Sequence, residues 1–143
     1  MIIRKLEKAD LVELAGLYQE FWGDFSDIVA MEEQYNLMQA ENTHIVLVCE
    51  AENKVVAAVM GVVCRELYGD CRPFMVVENM IVEKMYRRKG VGHKLLNGLE
   101  KAAQSRNCTQ MILVTEKERI DACGFYEKYG FSKNTTAYKK RIN

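Results

Sequence analysis

The stretch that most limits what this chain can become runs from residue 74 to residue 106. It reads FMVVENMIVE, then KMYRRKGVGH, then KLLNGLEKAAQSR. A strand over Phe74–Glu83 delivers the chain into a basic glycine turn, and a helix follows from about Val91 to Arg106. A helix start leaves its first N–H groups unpaired and carries partial positive charge. Gly90 and Gly92 let the backbone come close to a ligand, and Arg87, Arg88 and Lys89 add charge. Strand, glycine turn and helix in that order are the context a phosphate cradle requires. Two familiar cradles are excluded. A Walker loop needs Ser or Thr after Gly-Lys, whereas Gly90 is followed by Val91 and Gly92 by His93. A dinucleotide fingerprint needs a third small residue where Leu95 stands.

The rest of the pattern supplies a scaffold for that turn. MIIRKL predicts a first strand, and Asp10 with Glu13 three residues on has the form of a capping box. Leu11, Leu14, Ala15, Tyr18, Phe21 and Trp22 recur at helical spacing, which predicts a helix over residues 11–22. A second helix is expected over Met31–Ala40. HIVLVCE and KVVAAVMGVVCRE form a hairpin through the turn AEN, and LYGDCRP is a loop. After the glycine-turn helix come a strand (TQMILVT), a helix (RIDACGFYEKYG) and a closing strand (NTTAYKKRI). Strands that pair early and a late strand–helix–strand unit predict one mixed α/β domain, residues 1–143, with helices on both faces of its sheet.

Composition removes several classes of function. The start, MIIRKLEKAD, is charged from its fourth residue and lacks a signal-peptide pattern. The longest apolar run, Val55–Cys64, is too short to span a bilayer, so no membrane role is expected. The five cysteines form no CxxC pair, and His44 and His93 stand apart. Neither a disulfide framework nor a metal site is expected, and free thiols suit a reducing cytoplasm. Net charge is zero, but unevenly spread. Ala9–Asn53 holds ten acids and no Lys or Arg. An acidic front and a basic back suit ligands, or ligand ends, of opposite sign. The bases are interspersed with acids, which speaks against nucleic-acid binding.

Two segments carry a resemblance. ENMIVEKMYRRKGVGHKLLNGLEKAA resembles the acetyl-CoA-binding segment of the GNAT N-acetyltransferase family, and FYEKYGF (Phe125–Phe131) resembles that family's late helix-to-strand signature. The resemblance implies a central, mostly antiparallel sheet with a splayed parallel strand pair. It also implies transfer of an acetyl group from acetyl-CoA, the co-substrate, to a primary amine. By the resemblance, Met80, Ile81 and Val82 meet the arm of CoA, and Arg87, Arg88, Lys89, Gly90, Val91 and Gly92 hold its pyrophosphate. Arg119 stands where many relatives carry Asn. The amine must lose a proton and the departing thiolate must gain one. Glu78, set among apolar residues and so expected to be partly desolvated, is the candidate base. Tyr126 occupies the family's usual general-acid position. Asn79 is expected to shape a kink in its strand.

The resemblance sets the acceptor against the first two helices. Trp22, Asp24, Asp27 and Glu32 lie there, and carboxylates beside aromatic rings suit a small cationic amine. An amino-sugar phosphate and a protein amine remain as alternative acceptors. So does a non-catalytic acyl-CoA sensor, and a homodimer is compatible with the resemblance.

Overall fold

A computed structural model describes all 143 residues. They divide into two compact units, Met1–Ile112 and Leu113–Asn143.

In the first unit, β1 (Ile2–Lys5) leads through a 3-10 turn into α1 (Leu11–Trp22), then α2 (Ile28–Glu41). The strands β2 (His44–Ala51), β3 (Lys54–Cys64) and β4 (Phe74–Val82) follow, then α3 (Val91–Ser105) and β5 (Met111–Leu113), at whose last residue the second unit begins. The sheet order is β1-β2-β3-β4-β5, antiparallel except for the parallel β4–β5 pair. Glu52 and Asn53, both at positive φ (52° and 59°), close the β2–β3 hairpin with the twist such turns require.

Neighbouring residues in a strand face opposite sides, and the core divides accordingly. Val48, Val55, Ala58 and Ile81 pack with Leu6, Leu11, Leu14 and Leu17 on the side of α1. The other side receives α3, whose Val91, Leu95, Leu99 and Ala103 form a buried stripe at four-residue spacing. Full burial of each such leucine contributes about 1.5–3 kcal/mol. Two glycines admit this helix closely. A Cβ on Gly61 would lie 3.0 Å from Leu99 Cδ2 of the helix, and one on Gly98 would lie 2.7 Å from Leu47 Cδ1.

Two bulges interrupt the ladder. One falls between the Cys49–Ala57 and Glu50–Val55 pairs, and the Val55 N–H there donates to Glu13 Oε2 at 2.6 Å. The expected capping box therefore does not form: Glu13 serves the strand, and Asp10, at the head of α1, makes no cap bond to the helix. Its carboxylate accepts instead from the Glu7 N–H (2.7 Å) and from both Arg4 Nη atoms (2.7 and 2.9 Å). The second bulge lies in β4, between the Ala58–Ile81 and Met60–Glu78 pairs, where Asn79 has φ 50°.

In the second unit, α4 (Ile120–Tyr129) ends at Gly130, φ 124°, whose N–H and that of Phe131 bond the Tyr126 carbonyl at 3.2 and 3.0 Å. The tail beyond Phe131 carries no strand, so the closing strand expected from NTTAYKKRI is not found. That segment is exposed throughout and buries no face that would hold it in a ladder. Lys139 instead ion-pairs with Glu116, and Lys133 with Glu127 at 4.0 Å. No helix of the chain is long and apolar enough to cross a membrane.

Candidate active site

The glycine turn reaches α3 through two left-handed residues, Arg88 (φ 59°) and Gly90 (φ 80°). Gly90 occupies the helix cap with no side chain to offer, and the Lys94 N–H is the one that bonds back to Gly90 O, at 3.0 Å. The helix start is thus uncapped by any side chain, a geometry suited to an anion. Arg88 and Lys89 are exposed beside it, Lys89 with its ammonium 5.3 Å from the Tyr86 ring centre. Arg87 behaves differently. Its Nε donates to Val82 O at 2.9 Å, and its guanidinium lies 5.6 Å from the ring centre of Phe21 on α1.

β4 carries the next requirement. β5 has three residues and lies beside the start of β4, where the Met75 N–H bonds Gln110 O at 3.0 Å. The later part of β4 therefore continues past the end of its partner. Alternate residues of a strand aim their N–H and C=O groups at opposite edges. The Glu83 N–H bonds Val56 O at 2.8 Å, on the β3 side. Ile81 then faces β3 as well, paired with Ala58, and its side chain is buried in the α1-side core. Met80 and Val82 direct their polar groups to the other edge, where the Val82 carbonyl already accepts from Arg87 Nε. Of the three strand residues expected to meet an extended ligand, two have backbone groups aimed outward.

Glu78 pairs with Met60 across the ladder, and Ile81 with Ala58, so both stand on the α1 side of the sheet. Glu78 is exposed. The desolvation expected from its apolar sequence neighbours is not found, because a strand sends adjacent side chains to the opposite face and they do not surround the carboxylate.

Where the resemblance sets the acceptor, Trp22 is half exposed and meets Tyr18 at a tilt and Phe21 edge-on, with ring centres 5.2 and 5.1 Å apart. Burial pushes the Tyr18 phenol up to about 12. Asp27 caps α2, accepting from the Ala30 N–H at 3.1 Å, and Glu32 pairs with Lys8 at 3.5 Å. Asp24 is exposed in the α1–α2 loop. Five of the ten acids in the front segment thus have partners within the fold: Asp10, Glu13, Asp27, Glu32 and Glu50.

In the second unit, Arg119 caps α4 through its backbone, its carbonyl accepting from the Cys123 N–H at 2.9 Å. Tyr126 is half-buried between Phe125 and Phe131, with ring centres 5.3 and 6.0 Å away. Phe21 is the residue that sequence reasoning left in the core and the structure brings to the glycine turn. No local signal marks it, since its partner Arg87 lies far along the chain.

Comparison with known proteins agrees with this geometry. The family model described as Acetyltransferase (GNAT) family matches residues 14–131. Glucosamine 6-phosphate N-acetyltransferase of Candida albicans is 33% identical over 88 residues, 62% of this chain and 57% of that protein. Streptothricin acetyltransferase of Escherichia coli is 36% identical over 67 residues, 47% of this chain and 38% of that protein. The chain therefore spans about half the length, or less, of these curated relatives. Among solved structures, a putative acetyltransferase from Agrobacterium tumefaciens superposes with a TM-score of 0.91 at 24% identity, covering 99% of both chains. With a family match over most of its length and the same fold in a solved relative, the chain belongs to the GNAT acetyltransferase family.

Proposed function

We propose that this chain is an acetyl-CoA-dependent N-acetyltransferase whose acceptor is a primary amine on a small cationic molecule. The observation that carries the reading is the uncapped start of α3 behind the left-handed Arg88–Gly90 turn, at the end of a strand whose Met80 and Val82 backbone faces the edge away from β3. The first suits a pyrophosphate, and the second suits an amide-bearing arm added like a strand. Acetyl-CoA supplies an acetyl thioester. Arg88, Lys89 and the N–H groups of Val91 and Gly92 hold its phosphates in this reading, and the Met80 N–H polarises the thioester carbonyl. Glu78, directly or through a water, takes a proton from the ammonium so that the amine nitrogen can attack. The Tyr126 hydroxyl gives a proton to the departing thiolate. Family membership supports both assignments, and the α1-side position of Glu78 supports the first.

The acceptor class rests on Trp22 and on the carboxylates near it. Asp24 is the stronger of these, since Asp27 and Glu32 already have partners. The name of the glucosamine 6-phosphate relative favours a phosphorylated amino sugar instead. The absence of Lys and Arg from Ala9–Asn53 favours the cation. Free-thiol release from acetyl-CoA over a panel of amines tests this. Turnover is expected on polyamines, aminoglycosides or basic amino acids, and turnover confined to sugar phosphates would refute the acceptor class. CoA binding with no release on any amine would point to a sensor. Tyr126→Phe is expected to lower turnover by about 100-fold or more while CoA affinity stays near that of the parent.

A further inference from the structure

We infer that Phe21 is a positioning residue for the cofactor cradle. The inference rests on the acetyl-CoA reading above. Arg87 occupies the turn that would grip the pyrophosphate, yet its guanidinium is engaged with protein: Nε donates to Val82 O at 2.9 Å, and the cationic group lies 5.6 Å from the centre of the Phe21 ring. A guanidinium at that distance is attracted by the ring, and the ring restricts the orientations from which Nε can reach the carbonyl. Phe21 itself is anchored. It packs against the core cluster formed by Leu6, Leu11, Leu14 and Leu17, and its ring touches Trp22 at 5.1 Å.

The consequence is a continuous physical link. The last turn of α1 holds Arg87, Arg87 ties the glycine turn to the end of β4, and the same turn of α1 presents Trp22 to the acceptor side. Cradle and acceptor wall therefore share one anchor, and what loosens Phe21 loosens the cradle. A leucine at position 21 would fill the core side but offer no ring quadrupole, whereas a tyrosine would keep the ring.

Calorimetric titration with CoA tests this on the full chain. Phe21→Leu is expected to weaken CoA about threefold to tenfold, and Phe21→Tyr to bind within about twofold of the parent. Arg87→Met should weaken binding at least as much as Phe21→Leu, and the double variant should be no weaker than Arg87→Met alone. Leucine binding like the parent, tyrosine as weak as leucine, or losses that multiply in the double variant would each overturn the proposal. A second readout covers loss of folding in Phe21→Leu. Trp22 is the only tryptophan, so its emission reports on this contact. CoA should shift that emission in the parent and leave it unchanged in Arg87→Met at saturation. A parent that binds CoA without the shift overturns the link alone, whereas a parent that binds no CoA overturns the acetyl-CoA reading and this proposal with it.

Discussion

Arg4 offers its guanidinium to two carboxylates at once, both Nη atoms to Asp10 and Nε to Glu50 at 2.8 Å. Asp10 is buried, and the Arg4 hydrogen bonds, helped by the Glu7 N–H, hold its carboxyl below the usual range against the opposing effect of burial. A depressed folded-state value means that the stabilisation is present above about pH 4 and is lost as pH falls through the lower, folded value. Asp10→Asn is therefore expected to cost about 1–3 kcal/mol at neutral pH in urea melts and to flatten the acid limb of stability. Tyr18 acts at the other end of the scale. Its phenol is pushed up to about 12 by burial, so its contribution is complete below about pH 10 and is lost as pH rises toward 12. Tyr18→Phe should remove that alkaline loss, and tyrosinate absorbance in the parent should show one phenol titrating last. Neither role is visible in the local sequence. Asp10 looks like a helix cap and Tyr18 like one aromatic among several, and only the burial around them separates them from that reading.

At the level of elements, the β4 bulge does the most for the site. Asn79 in the left-handed region adds one residue to the strand, so that Met75 and Val77, paired with Val63 and Gly61, serve the α3 side while Ile81 serves the α1 side. Asn tolerates positive φ, whereas a β-branched residue does not. Asn79→Val, which would favour an ordinary strand, is expected to destabilise by about 1–2 kcal/mol in urea melts, and Asn79→Gly to be nearly neutral. The kink was legible as an Asn inside an apolar run. Which residues it turns outward was not, because that depends on the register against β3. The tail of the chain shows the converse. NTTAYKKRI carries β-favouring Thr, Tyr and Ile but forms no strand, since residues exposed throughout bury no face that would hold them in a ladder.

Across the whole molecule, charge is the property most directly tied to the proposed ligands. Ala9–Asn53 lacks every Lys and Arg, whereas the glycine turn sets three bases in a row. Arg4 offsets Asp10 and Glu50, and Lys8 offsets Glu32, so three of the front's ten acids are ion-paired with bases outside the segment. In the proposed reading the phosphates meet exposed Arg88 and Lys89, so affinity for CoA should fall several-fold between about 0.05 and 0.5 M salt. KM for a cationic acceptor should rise over the same range and that for a neutral amine should not. Titrations at several ionic strengths check both.

The sequence by itself determined the family and the order of elements as far as α4. Those depend on local rules: hydrophobic period, glycine at a helix start, and short motifs whose spacing survives without the rest of the chain. Tertiary structure decided the partners. It engaged Asp27 and Glu32 elsewhere, exposed Glu78, turned Ile81 into the core and set Arg87 against Phe21. The physical reason is that these outcomes are pairings between distant residues, settled by strand register and by which faces find something to cover them.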